Sequence, residues 1–211
     1  PLVYDVEEDL TNSYLIEEYL EGESLYALVK RLGSLSMKTA AEIGIQVCRL
    51  IQFMNTADNP ILYLDLQPKN LLVCNGAVRL IDFDHAQYAE DVTAFGERYG
   101  TIGFAAPEQY RGEPLDCRTD VYAIGALLYY MCRGEPPGNG FCLGDRSDTW
   151  ELDRIIRGCM AAEKDGRYQN AGKVEQALCE LKTVLSEKHA IESLTIVFAG
   201  ARPGIGTTHA A

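Results

Sequence analysis

The chain has 211 residues, 47% of them hydrophobic, and a formal net charge of −12 from 31 acids and 19 bases. That length fits one domain, or one domain plus a fragment, with enough apolar content for a buried core. The acidic excess leaves no electrostatic footprint for nucleic acid and is repelled by an anionic membrane surface. Seven cysteines without a CxxC pair, several inside apolar helical patterns such as YYMCRG, read as reduced core thiols of a cytoplasmic protein. The longest apolar run, Val121 to Cys132, is about half of a membrane span, and no basic-then-apolar leader opens the chain, so no membrane segment is expected.

In chain order, residues 3–8 and 14–20 around the polar DLTNS predict a β-hairpin. Leu25, Leu28, Val29 and Leu32 have the spacing of a short amphipathic helix that Gly33 stops. A longer helix is predicted over 36–57, with Ser36 as N-cap and Ala40, Ile43, Val47, Leu50, Ile51 and Met54 on its apolar stripe. Residues 85–115, rich in Gly, Pro and charge, predict a long loop carrying short pieces, a length that is usually functional or disordered. Helical patterns return at 118–133, 150–161 and 170–187, so the C-terminal half is mostly α.

The segment YLDLQPKNLLVCNGAVRLIDFD, residues 63–84, carries the chemistry. Asn75-Gly76 is the pair best suited to the two positive-φ positions of a type I′ turn. An antiparallel hairpin centred there pairs 74 with 77 and 72 with 79, which carries Asn70 toward 81 and 82. An amide oxygen and a carboxylate at the open end of a hairpin make a hard oxygen site suited to Mg²⁺ shared with phosphate oxygens. Asp65, on the same loop, is placed to orient or deprotonate an attacking hydroxyl.

In order and spacing these motifs resemble the C-terminal lobe of a bacterial Ser/Thr protein kinase. YLDLQPKN resembles the catalytic loop, with Asp65 matching the catalytic base, Gln67 the phosphate-contacting position and Asn70 a metal ligand. Asp82 in DFD matches the metal-binding acid of the DFG triplet, and Ala106, Pro107 and Glu108 match APE. Thr101 in GTIGFAAPE matches the threonine near the catalytic acid, Asp120 the buried acid that tethers the catalytic loop, and Arg167 the partner of Glu108. YLIEEYLEGESL resembles strand 5 and the hinge, where backbone groups of Glu18 and Leu20 would meet adenine, Glu23 the ribose, and Leu72 the underside of the base.

The resemblance implies an α+β fold: a kinase-like C-lobe, mainly helical, with a small N-terminal hairpin and a catalytic-loop hairpin. It implies residues 1–22 as strands 4–5 and hinge, 23–187 as the lobe, and 188–211 as linker plus the start of another domain. The implied function is transfer of the γ-phosphate of Mg²⁺-ATP to a protein hydroxyl. Departures bear on activity: no Gly-rich loop, strand-3 Lys or helix-C Glu precedes Pro1, Gln67 stands for a Lys, and Asp84 stands for the DFG glycine. From these the 211 residues alone are expected to catalyse poorly. The alternative is a pseudokinase or binding module fused to an ATPase-like domain. That domain is suggested by LTIVFAGARPGIGTTHAA, which resembles the phosphate loop of ParA/MinD-like ATPases with Thr207 at the Lys position. Small-molecule phosphotransfer fits less well, because the stretch around Thr101 resembles a protein-substrate segment.

Overall fold

The computed structural model describes residues 2–92, 100–138, 142, 143 and 149–192, with backbone alone for 188–192. The glycine-turn segment at 193–211 lies outside the described residues. Among the described residues, seven short strands and six α-helices give the mixed α and β content expected, with helix predominating toward the C-terminus.

β1 (Val3–Glu8) and β2 (Ser13–Glu17) form the predicted antiparallel hairpin, exposed along its length. β2 ends at Glu17, not Leu20, so Glu18 and Leu20 lie beyond the strand. β3 (Glu23–Ser24) leads directly into α1 (Leu25–Leu32), where Ser24 accepts from Ala27 N–H and Gly33, at φ 80°, closes the helix. α2 (Met37–Asn55) is capped by Ser36 through Thr39 N–H. Its apolar stripe, including Ala40, Ile43, Val47 and Ile51, is buried as the spacing predicts.

After β4 (Ile61–Leu62) comes a single 3₁₀ turn, Pro68–Asn70, then β5 (Leu71–Cys74) and β6 (Ala77–Leu80). Asn75 and Gly76 both take positive φ, 51° and 81°, and the register is Cys74↔Ala77 and Leu72↔Arg79, as the turn chemistry dictates. β3 adds to the edge of β5, giving a three-stranded sheet ordered β3-β5-β6. The Gln46 side chain on α2 fixes this hairpin, donating to Gly76 O (3.0 Å) and accepting from Val78 N–H (3.0 Å). β4 pairs with β7 (Gln87–Tyr88) as a separate ribbon.

The α-helical part builds the core. α3 (Pro107–Arg111) is one short piece in the long loop, followed by α4 (Cys117–Arg133), α5 (Trp150–Cys159) and α6 (Ala171–Glu192). α4 is buried nearly all round, from Val121 to Met131, which identifies it as the central helix. No helix among the described residues is long and apolar enough to cross a membrane. α6 runs past 187 to Glu192, five residues into the segment expected as linker. The stretch SEKHAIE holds no Gly or Pro to stop it.

α4 and α5 approach at Gly125, where a Cβ would sit 2.5 Å from Cys159 Cβ and 2.7 Å from Met160 Cγ. Gly125→Ala should therefore destabilise by about 1–3 kcal/mol through overpacking, despite alanine's better helix propensity. A urea titration reads this as a lower midpoint with an unchanged slope.

Candidate active site

The centre of the site is the loop between β4 and β5. Leu64 lies in it at φ 65°, a left-handed conformation rare for a non-glycine residue, yet it is buried. Both its backbone groups are held by buried side chains. Asp120 Oδ1 on α4 accepts from Leu64 N–H (2.9 Å), and Gln109 Nε2 on α3 donates to Leu64 O (2.9 Å). Asp120 Oδ2 also accepts from Tyr63 N–H (3.1 Å) and from Asn55 Nδ2 (3.2 Å). Burial pushes the Asp120 carboxyl above its ordinary pKa, against the three donors that favour its charged form.

One residue on, Asp65 receives three side-chain hydrogen bonds. Gln67 Nε2 and Asn70 Nδ2 each donate to Oδ2 at 2.8 Å, and Thr101 Oγ1 donates to Oδ1 at 2.8 Å. Asn70 Nδ2 also lies 3.1 Å from Asp65 O. Gln67 and Asn70 from the same loop and Thr101 from a later segment thus converge on the one carboxylate of Asp65.

Asp82 arrives from the other strand of the hairpin. Ile81 N–H donates to Asn70 O (3.0 Å), continuing the ladder past β5 and β6 and setting the two loops side by side. Asp82 has φ 63° and an exposed side chain whose Oδ1 accepts from Asp84 N–H (3.3 Å). The Asn70 side chain turns its amide N–H toward Asp65 rather than Asp82, leaving its oxygen as the donor atom suited to a hard cation. Among the described residues no cluster of three or more His, Cys, Asp or Glu is arranged to hold a metal alone. One amide oxygen and one carboxylate suit Mg²⁺ that draws its remaining ligands from phosphates and water.

Tyr63 braces both loops. Its buried hydroxyl lies 2.6 Å from Ile81 O and 2.9 Å from Asp82 O, and its ring meets Phe83 edge-on, with centroids 5.5 Å apart. Burial, with the charges of Asp65 and Asp82, pushes this phenol well above its ordinary pKa. Position 63 thus packs through its ring and hydrogen-bonds at its tip.

Glu108 and Arg167 form a bidentate pair at 2.7 and 2.8 Å, with side chains 2% and 0% exposed. The remaining guanidinium donors reach Ala161 O, Arg118 O and Ala162 O, and Thr119 Oγ1 donates to Glu108 Oε1 (3.0 Å). Burial disfavours the Glu108 charge, but the Arg167 hydrogen bonds and those from its backbone and Thr119 outweigh it and hold the carboxyl below 4.5.

The expected nucleotide-facing residues are placed unevenly. Leu72 stands opposite Ser24 across the β3–β5 pair, which brings it beside the segment following Glu18 and Leu20. Glu18 N–H donates to Leu2 O (2.7 Å) and its carboxylate accepts from Leu2 N–H (3.1 Å). Glu23, expected at a ribose, is bound by Arg31 through two hydrogen bonds of 3.2 and 2.6 Å. The sequence reading missed that pair because Glu23 precedes the helix that carries Arg31, and only the turn at Ser24 brings them together. It also missed Gln46, Asn55 and Gln109. Gln109 follows directly on the Ala106–Glu108 motif and accepts from Ala106 N–H (2.9 Å), a local signal that could have singled it out.

Residues 2–196 match the family model for the protein kinase domain. The chain belongs to the protein kinase family. It is similar to the serine/threonine-protein kinase PknB of Mycolicibacterium smegmatis, 32% identical over 206 residues, covering 83% of this chain and 32% of that protein. PknB of Mycobacterium leprae is 30% identical over 205 residues, with the same coverage. A "probable serine/threonine-protein kinase" of Clostridium acetobutylicum is 27% identical over 200 residues, covering 85% of this chain and 30% of that protein. The chain thus spans about a third of the length of these curated relatives.

Two outcomes follow from the Glu108–Arg167 pair. Arg167→Met strands a buried carboxylate and should cost about 3–5 kcal/mol, read as a lower urea midpoint. A carboxyl held below its ordinary 4.5 contributes stability that is complete above that value and is lost as pH falls through its folded-state value. In Glu108→Gln, the fall in stability between neutral pH and the acid range should be shallower than in the parent, as measured by urea titrations across pH.

Proposed function

We propose that this chain is the large lobe of a Ser/Thr protein kinase whose full-length form transfers the γ-phosphoryl group of Mg²⁺-ATP to a protein hydroxyl. The observation that carries this reading is the Thr101 hydroxyl on Asp65 Oδ1 at 2.8 Å. A carboxylate oxygen that already accepts from an aliphatic hydroxyl has the position and chemistry to accept from a substrate Ser or Thr.

In this reading Asp65 orients the acceptor hydroxyl and takes its proton as the phosphoryl group transfers. Gln67 and Asn70 hold Oδ2, so the carboxylate keeps one rotamer and its free lone pairs face the acceptor. Asn70 and Asp82 would hold Mg²⁺, which supplies charge neutralisation at the phosphates when bound. Glu18 has its N–H engaged with Leu2, so its carbonyl is the group for adenine, with a Leu20 backbone group beside it and Leu72 against the base. Glu23 reaches a ribose only by exchanging its exposed, solvent-screened pair with Arg31. Asp120, Glu108 and Arg167 act through the backbone they fix.

Gln67 favours a second reading, a nucleotide- or partner-binding module. It places a neutral amide where a cation would stabilise charge developing on the phosphoryl group. The two readings separate in the full-length protein. Asp65→Asn should lower phosphorylation of a test protein about 10²–10⁴-fold while Mg²⁺-dependent ATP affinity stays within a few-fold of the parent. Undiminished transfer in the variant contradicts the role given to Asp65. A parent that binds Mg²⁺-ATP and transfers nothing selects the binding module.

A further inference from the structure

A pocket of about 320 Å³ adjoins the Asp65 cluster and shares Gln67 and Thr101 with it. Phe104 and Tyr130, 6% and 5% exposed and edge-on to each other, contribute apolar lining. The pocket's charged lining residues are Lys30 and Lys69, with no acid among them, although the chain carries 31 acids and 19 bases.

The two lysines come from different elements and converge on one ring. Tyr26 and Lys30 are four residues apart on α1 and so share a face. Lys30 Nζ lies 5.8 Å, and Lys69 Nζ, from the 3₁₀ turn, 5.6 Å from the Tyr26 ring centre. That range suits cation–π attraction, which draws both ammonium groups toward one side chain despite their mutual repulsion. Among the described residues neither lysine has a carboxylate within ion-pair distance. An anion entering the pocket would find two ammonium donors, each able to form a charge-assisted hydrogen bond. The molecule's overall charge repels acidic partners, so attraction here is local and falls with salt.

We propose that this pocket selects protein substrates carrying an Asp or Glu close to the acceptor hydroxyl, its carboxylate received by Lys30 and Lys69. An extended peptide advances about 3.3 Å per residue, so a pocket one side chain away from Asp65 places the acidic residue within about three positions of the acceptor. The proposal rests on the reading of Asp65 as the group that receives the acceptor.

The test uses the full-length protein and peptides with one Ser acceptor and Glu, Ala or Lys at each of three positions on either side. Glu at one or two adjacent positions should raise kcat/KM about three- to tenfold over Ala, the worth of one or two partly screened ion pairs. The double variant Lys30→Glu, Lys69→Glu should invert the Glu-to-Lys ratio at the same positions. Both lysines are exposed, so the variant should keep the parent's circular dichroism melting curve. Peptides phosphorylated with no preference for Glu at any position, or a double variant that keeps the parent's ratio, would overturn the proposal. If no peptide is phosphorylated, the kinase reading is what fails, and the pocket is read by fluorescence anisotropy of the same peptides. Tighter binding of a Glu peptide than its Lys counterpart, reversed in the double variant, supports the pocket; equal binding overturns it.

Discussion

The Asp120 carboxylate holds the peptide of Tyr63 and Leu64, and the rest of the site depends on that hold. Leu64 sits at φ 65°, a conformation that costs on the order of 1–3 kcal/mol for a residue with a Cβ and persists only where the surroundings impose it. Here they do, with Asp120 on the N–H and Gln109 on the carbonyl. Left-handed backbone at 64 reverses the chain so that Tyr63 points inward while Asp65 meets Gln67, Asn70 and Thr101. Asp120 is itself expensive, a buried acid whose pKa is raised by desolvation and whose neighbour Asn55 has a side-chain oxygen without a partner among the described residues. A polar group kept at that cost on the central helix serves geometry rather than stability.

Successive clamps connect this anchor to the core. Gln46 on α2 grips the hairpin turn at Gly76 and Val78, Tyr63 spans to the carbonyls of Ile81 and Asp82, and Glu108 with Arg167 fixes α3, which carries Gln109 back to Leu64. Each clamp joins residues distant in sequence through a side chain with both ends satisfied. Asp65 and Asp82 stay at the surface end of this frame, partly and fully exposed, open to the roles proposed for them.

What could be read from sequence follows from how local its cause is. Ser36 and Gly33 act within one turn of their own helices, and Asn75-Gly76 sets a register by its own φ values, so these limits were legible. β3, β4 and β7 have two residues each and exist only because a distant strand pairs with them, so no periodicity could announce them. The same distinction holds in the site. Asp65, Asn70, Thr101 and Asp82 stood out through ordered motifs, but the ties of Gln46, Asn55 and Gln109, and the capture of Glu23 by Arg31, depend on tertiary geometry.

The most direct test of this account is amide hydrogen exchange at Tyr63 and Leu64, in the parent and in Asp120→Ala. Held by a carboxylate in the core, these two amides should exchange as slowly as those of α4 and lose most of that protection in the variant, while α2 amides remain slow. Exchange of Tyr63 and Leu64 at the rate of exposed loop amides in the parent, or protection unchanged without Asp120, would show that the loop owes its shape to something else.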